Sequence, residues 1–348
     1  MKKKIFSVIL FCVTALSAVA QNDNKLFHLS FISPFGTNGT RSHLVTNNIS
    51  FNILGGHSYG NTAFELGGLY NANIYLTKGV QFAGILNFSG HSYNAVQFAG
   101  VTNISTQGVS GAQIGGAVNV AYNATTQISG VINVAKRIEG VQVAGIGNIA
   151  SGDVKTQIGT VFNSAKRVKG VQIGLFNYAD SCDGVQIGLI NIVKNGGKHE
   201  FEVAFSEALN TTISFKLGTD KLYTIFSGGV SYLNNPIEYA YGVGFGTHQN
   251  WGKRWGSQVE IIGYQLTEEG KFRGGLDLLT RLKFTVSKQI ANHFKVFAGP
   301  VLNMTISDYV NPETGKIGSS FASYTMWEQT NGKTNLKAWL GFTAGVRF

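Results

Sequence analysis

Between Glu65 and Asn191 the chain repeats one short phrase nine times, and no other feature limits its possible folds so strongly. Gln81, Gln97, Gln113, Gln127, Gln142, Gln157, Gln172 and Gln186 fall 14 to 16 residues apart, with Glu65 in the same place one step earlier. An Asn follows each, at +6 from Asn71 to Asn163 and at +5 for Asn177 and Asn191. A fixed period of this kind means that each copy buries its surface against its neighbours. Helix is a poor reading, because each interior glycine costs ~1 kcal/mol relative to alanine. Strand fits better. In VQVAGIGNIA, residues 141–150, alternation places Gln142, Ala144, Ile146, Asn148 and Ala150 on one side. The odd offset in the last two copies predicts a β-bulge or register change near Gly174 and Gly188.

The connectors carry a second pattern. Lys136-Arg137 and Lys166-Arg167 alternate with connectors bearing Asp153 and Asp180/Asp183, which gives a unit of two strands. A solenoid gives every connector the same environment, whereas a hairpin array places alternate connectors at opposite ends of a sheet. The alternation therefore favours hairpins.

From about Glu200 the repeat gives way to period-two strands. Phe201, Val203 and Phe205 alternate with Glu202, Ala204 and Ser206, and Ile213, Phe215 and Leu217 with Thr212, Ser214 and Lys216. Leu282, Phe284 and Val286 oppose Arg281, Lys283 and Ser287. Such strands have the length and one-sided apolar pattern of membrane-crossing strands. The final strand, KAWLGFTAGVRF, places Leu340, Phe342, Ala344, Val346 and Phe348 on one apolar face. Trp251, Trp255, Trp327 and Trp339 all lie in this part, as an interfacial girdle or as core. The segment 307–320 reads as a long polar loop.

At the other end, MKKKIFSVILFCVTALSAVAQ has the layout of a secretory signal peptide cleaved near Ala20/Gln21. Its loss removes Cys12 and three of the lysines behind the +10 formal charge, leaving Cys182 as the one cysteine of the mature chain. No Lys/Arg run is interleaved with aromatics, so no nucleic-acid partner is expected. Charged residues make up 13%, about half the usual share, which argues against an ordinary water-facing surface.

FHLSFISPFGTNG, the tandem G-x-Q-x-x-G-x-x-N phrase, AKRVKGVQIGLFNYADSCDGVQIGLINIVKNG and FAGP at 297–300 resemble the surface-repeat outer-membrane proteins of Bacteroides-type bacteria. The resemblance implies an outer-membrane location, and it carries no functional residues over. A strand that ends on Phe348 also resembles the recognition end of outer-membrane barrels, which implies outer-membrane lipid and the barrel-assembly machinery as partners.

No catalytic constellation emerges. His28, His43, His57, His91, His199, His248 and His293 show no His-x-x-x-His spacing, and no HExxH, CxxC or G-x-S-x-G is present. YGVGFG at 241–246 lacks the dinucleotide spacing. Asp180 and Asp183 near Cys182 raise a thiol pKa rather than activate it. The Gln and Asn series either lines a water-filled or carbohydrate-binding lumen or fixes register inside a packed sheet, and the second reading is favoured. No catalytic, cofactor-binding or metal residue is assigned, no cofactor is expected, and the chain reads as a non-enzyme.

The leading expectation is an all-β chain forming one antiparallel transmembrane β-barrel of about 18–20 strands. It is organised as signal peptide 1–20, N-terminal strands 21–64, strand-repeat array 65–198 and C-terminal barrel strands 199–348. The expected function is a structural or passive-pore role in the outer membrane. The glycines are awkward in a lipid-facing wall, and they motivate an alternative. There, residues 45–198 form a β-solenoid, residues 200–348 form a smaller barrel of about eight strands, and the array binds glycan or host-surface ligands.

Overall fold

A computed structural model describes residues 23–348 apart from 234–236, 268–274, 312–314, 320 and 322–323. The expected signal peptide 1–20 lies outside the described residues. The described chain is all-β, with one short 3-10 turn at Gly39–Leu44 and no α-helix. It divides into two compact units between Ala135 and Lys136, within the strand Ile132–Ala144.

The repeats form a β-solenoid of about nine turns, which corrects the expectation of a single antiparallel barrel of about 18–20 strands. Successive copies pair in parallel, like residue upon like. In the first unit Glu65 pairs with Gln81, Gln81 with Gln97 and Gln97 with Gln113, while Asn71, Asn87, Asn103 and Asn119 form a second line. In the second unit Gln142, Gln157, Gln172 and Gln186 form one line. Asn148, Asn163, Asn177 and Asn191 form the other. Glycine supplies the physical reason. A Cβ at Gly116 would overlap the Gly100 carbonyl oxygen, and one at Gly188 would overlap that of Gly174. The residues that suit a lipid-facing wall badly are points where one coil must approach the next.

Each coil is flattened. The strand Tyr70–Ala83 runs from Asn71 to Gln81, and Gly84–Ile85 turns tightly into the next coil at Leu86. One edge of the coil is this tight turn, and the other is the broader bend halfway round. All the charged connectors of the second unit lie at the broad edge: Asp153 pairs in register with Arg167, and Arg167 with Ser181. The alternation that favoured hairpins has a different cause. In a parallel stack it sets opposite charges on neighbouring coils, and Arg167 meets Asp183 at 2.7 Å while Lys169 meets Asp153 at 3.0 Å.

The bulges fall at this edge too, for example between Val154 and Thr156. None is needed at Gly174 or Gly188, since Gln172–Gln186 and Asn177–Asn191 stay in register. The shorter offset is absorbed at the strand end: the strand runs two residues past Gln157, to Gly159, before the turn Thr160–Val161, but only one past Gln172, to Ile173, before the turn Gly174–Leu175. Ile146, expected beside Gln142 and Asn148, is exposed instead, because the turn at Gly145–Ile146 interrupts the alternation.

From Lys198 the architecture changes. Eight strands, Lys198–Ser206, Thr211–Gly218, Tyr223–Ser231, Glu238–Trp251, Trp255–Leu266, Asp277–Ala291, Phe294–Ser307 and Thr334–Arg347, pair antiparallel in chain order, and the last pairs with the first. The sheet closes on itself, as the alternative expected for 200–348. At the seam the Phe348 N–H donates to the Phe201 carbonyl at 2.9 Å, and the Phe201 N–H returns the bond at 3.2 Å. The period-two pattern sets Phe215, Ile261, Phe284 and Phe342 on the outside. Inside, Trp339 is fully buried with Tyr223, Tyr264 and Phe321, whereas Trp251, Trp255 and Trp327 are exposed. The 307–320 segment, read as an open polar loop, buries Tyr309 and Ser319 and leads into the buried Phe321.

The coil-to-coil amide bonds are open to test. Asn163 donates to Asn177 and accepts from Asn148, both at 2.9 Å. Asn163→Ala strands these buried partners and is expected to cost about 1–3 kcal/mol in a denaturant titration followed by circular dichroism. Lys166→Ala, at the exposed edge, is expected to stay within ~0.5 kcal/mol of the wild type.

Candidate functional site

The interior of the coils is polar yet closed. In the first unit Gln97 donates to Gln81 at 2.8 Å and Gln113 to Gln97 at 3.1 Å. In the second, Gln157 donates to Gln142 at 2.8 Å and Gln172 to Gln157 at 2.7 Å. The Asn series runs parallel to it, and its amides also close each coil: Asn71 donates to the Phe82 carbonyl at 2.6 Å, and Asn163 to that of Ile173 at 2.7 Å. All these side chains are buried. They face one another rather than a lumen, which supports the register-fixing reading over the carbohydrate-binding one.

Glu65 stands where later coils have Gln. Its carboxyl is fully buried and accepts from Asn52 at 3.2 Å, Asn73 at 2.7 Å and Gln81 at 2.9 Å. A carboxylate only accepts, which suits a position met by three amide donors. Burial nevertheless pushes the group up to about 7 from its ordinary 4.5, against the pull of those donors.

Three surfaces remain as places of action. The broad edge of the second-unit coils carries Arg137, Asp153, Arg167, Lys169 and Asp183, and Lys169 holds the Asp153 carboxyl below its usual range. The tight edge is apolar. In the second unit it exposes Ile146, Val161, Leu175 and Leu189 at successive turns. In the first unit it exposes Leu69, Ile85 and Val101, and beside them the rings of Phe64, Phe82 and Phe98 follow one another at 6.0 and 4.9 Å. The third surface is the apolar exterior of the barrel.

The barrel interior is charged. Lys216 contacts Glu202 at 2.5 Å and also Glu260; Lys283 contacts Glu202 at 2.6 Å and Glu260 at 3.1 Å. Arg347 reaches Glu202 at 2.8 Å, and Tyr223 donates to Glu260 at 2.9 Å. Glu200, closer to the end with short turns, meets Lys198 at 3.2 Å and Lys295 at 3.3 Å. Sequence reasoning placed Glu202, Lys216 and Lys283 on polar strand faces but missed that they converge. The readable signal was acids and bases on the side opposite the apolar residues of strands that close a sheet.

His199, His248 and His293 line one cleft at the short-turn end of the barrel, and the other histidines are dispersed. His43 and His57 stack at 6.4 Å beside Ser42 and Tyr70, and His91 lies beside Tyr93. His28 pairs with Thr37 at 3.0 Å, His199 with the Val193 carbonyl at 2.9 Å and His248 with Asp220 at 2.9 Å. Among the described residues no three of His, Cys, Asp and Glu converge as a metal-holding group. Cys182 is half-buried at the broad edge; burial pushes its thiol up, and Asp183 adds to the shift.

The Glu65 geometry predicts a pH dependence. The carboxyl binds its proton more tightly folded than unfolded, so its stabilising contribution is complete below about 4.5 and is lost as the pH rises through about 7. Hydrogen exchange of residues 65–99 is expected to report a loss of about 3 kcal/mol in local stability between pH 4.5 and pH 8. Glu65→Gln is expected to abolish that slope, and a slope that persists in the variant assigns it to another group.

No family model matches the chain, and no curated protein or solved structure matches it.

Proposed function

We propose that the chain is a non-enzymatic repeat scaffold, anchored in the outer membrane by its C-terminal barrel, with the solenoid as the working part. One observation carries the reading: the closed eight-stranded sheet exposes apolar side chains along its outside, while its interior holds a salt-bridged cluster beside a buried aromatic and aliphatic one. Closure gives each of the eight wall strands a neighbour on both sides, which hydrocarbon requires of any spanning sheet; Trp327–Asn331 extends only the last hairpin. Trp251 and Trp255 flank one tight turn at the end of the wall, where an interfacial aromatic belongs. The resemblance to Bacteroides-type surface-repeat proteins agrees with this reading, as does the strand closing on Phe348, the feature that barrel-assembly machinery would recognise.

The barrel is an anchor more than a pore. Lys216 crosses its interior to Glu260 and Lys283 to Glu202, Arg347 pairs with Glu202 on the neighbouring strand, and Trp339 and Phe321 fill the part beyond them. A stiff array of in-register coils then offers its charged edge to a partner, as repeat proteins offer an extended surface. Outer-membrane barrels keep their short turns on the periplasmic side. The last coils touch the short-turn end, where the Lys221 ammonium donates to the Asp183 carbonyl at 2.6 Å. This contact favours an array held beneath the membrane over one displayed to the medium.

Refolded into lipid vesicles, the protein is expected to run faster on a gel unheated than boiled and to give no stable conductance steps in planar bilayers. Ile261→Arg, on the outer face, is expected to lower the folded fraction by about 2–4 kcal/mol. A chain that stays dispersed without detergent overturns the anchor, and steady conductance restores the pore. Protease added to intact cells is expected to spare 65–198; cleavage there supports surface display and a glycan or host ligand.

A further inference from the structure

The tight edge of the second-unit coils is a line of aliphatic side chains exposed among the described residues, and the contacts of the last coil show how that coil is set against the barrel. Thr224 points outward from the barrel wall, between Leu217 on one neighbouring strand and Phe245 on the other. It is nonetheless fully buried, because the last coil covers it. Its hydroxyl donates to the Gly188 carbonyl at 2.8 Å and accepts from Asn191 Nδ2 at 3.0 Å. Asn191 ends the buried Asn series and Gly188 opens the last tight turn, so this contact sets the end face of the last coil, at its tight-turn side, on the apolar wall and leaves Leu189 exposed beside it.

The other edge of the same coil is placed by Lys221, which lies three residues nearer the short-turn end and holds the Asp183 carbonyl at the broad edge. Two contacts define the direction. Moving along the wall from Thr224 to Lys221, from apolar strand to polar turn, is moving across the coil from Leu189 to Asp183. The coil and the barrel therefore change from apolar to polar in the same sense and at the same level. Earlier coils keep the pattern, with Leu175 and Val161 at the tight edge and Lys169 and Asp153 at the broad one.

We infer that the tight edge of the second-unit coils is a lipid-contact surface, immersed among the acyl chains of the leaflet that adjoins the short-turn end of the barrel. The inference rests on the barrel spanning the membrane. Its occupant is hydrocarbon rather than a protein groove, because the edge is continuous with the apolar wall at Thr224 and the opposite edge is salt-bridged and polar. The array is then a second membrane contact beside the anchor, a keel lying along the bilayer with its charged edge in water.

The test uses the full chain with Cys12→Ser and Cys182→Ser and one new cysteine, labelled with a small fluorophore and refolded into vesicles containing brominated acyl chains. The labelled sites are Leu175→Cys and Val161→Cys at the tight edge, Lys169→Cys at the broad edge and Phe284→Cys on the barrel wall. Labels at 175, 161 and 284 are expected to lose most of their emission to the brominated lipid, and the label at 169 to aqueous iodide instead. If 284 is quenched by lipid while 175 and 161 respond only to iodide, the edge lies in water and the inference falls with the anchor intact. If 175 and 161 resist both quenchers, the edge is covered by protein, a second copy included, and the inference falls too. If 284 itself is not quenched by lipid, the anchor reading fails and takes the inference with it.

Discussion

Two N–H bonds of one asparagine side chain hold the repeat together in two directions. In Asn163 one reaches the Ile173 carbonyl across its own coil at 2.7 Å, and the other reaches Asn177 of the next coil at 2.9 Å. The first sets how tightly a coil may turn, and the second sets which residue lies above which. An amide donates and accepts at once, so a column of identical amides satisfies itself only when every coil is in register. A slip by one residue would bury unpaired donors at each level, at about 1–3 kcal/mol apiece. The amides thus contribute more to uniqueness than to net stability. Glycine is the complement: with nothing beyond the Cα at Gly116 or Gly188, backbones approach closely enough for the amides to meet.

Much of this was legible in the residues, and the part misread has a specific cause. The period, the shared side of Gln and Asn, and the burial of both follow from spacing and strand alternation. The direction of pairing does not, because a strand of alternating residues pairs equally well either way. The alternation of Lys136-Arg137 with Asp153 seemed to mark two ends of a sheet, yet it marks neighbouring levels of one edge, joined by Arg167–Asp183 and Lys169–Asp153. Charge alternation along a chain reports which charges are neighbours in space, and in a parallel stack successive repeats are the neighbours. The abundance of glycine, uncomfortable for a barrel wall, was the better guide.

In the C-terminal part the period-two pattern marked several of the strands, among them those around Phe201–Phe205, Ile213–Leu217 and Leu282–Val286, while closure of this part into a ring of its own stood only in the alternative expectation. The interior needed more than a pattern. Glu202, Lys216, Glu260 and Lys283 come from four strands; Lys216–Glu202 and Lys283–Glu260 join neighbouring strands, and Lys216–Glu260 and Lys283–Glu202 depend on the curvature that closure imposes. Buried ion pairs contribute little net stability after desolvation, and removing one partner is costly. The set is better understood as a filling: eight strands enclose a space that side chains must occupy, and acids paired with bases occupy it without leaving a channel.

The two parts solve one problem in opposite ways. The solenoid places its amides inside and exposes aliphatic side chains along its tight edge, and the barrel holds its ion pairs inside and exposes apolar side chains on its outer wall outside the patch at Thr224 that the last coil covers. In water both arrangements leave large apolar surfaces uncovered, far beyond the scattered exposed residues of a soluble domain. Two different folds in one chain, with the same inversion of polarity, call for a common surrounding rather than two separate explanations. The Thr224–Gly188 contact shows where the inverted surfaces of the second unit meet. On the proposed membrane reading, a single apolar phase shared by the wall and the edge would meet both at that junction.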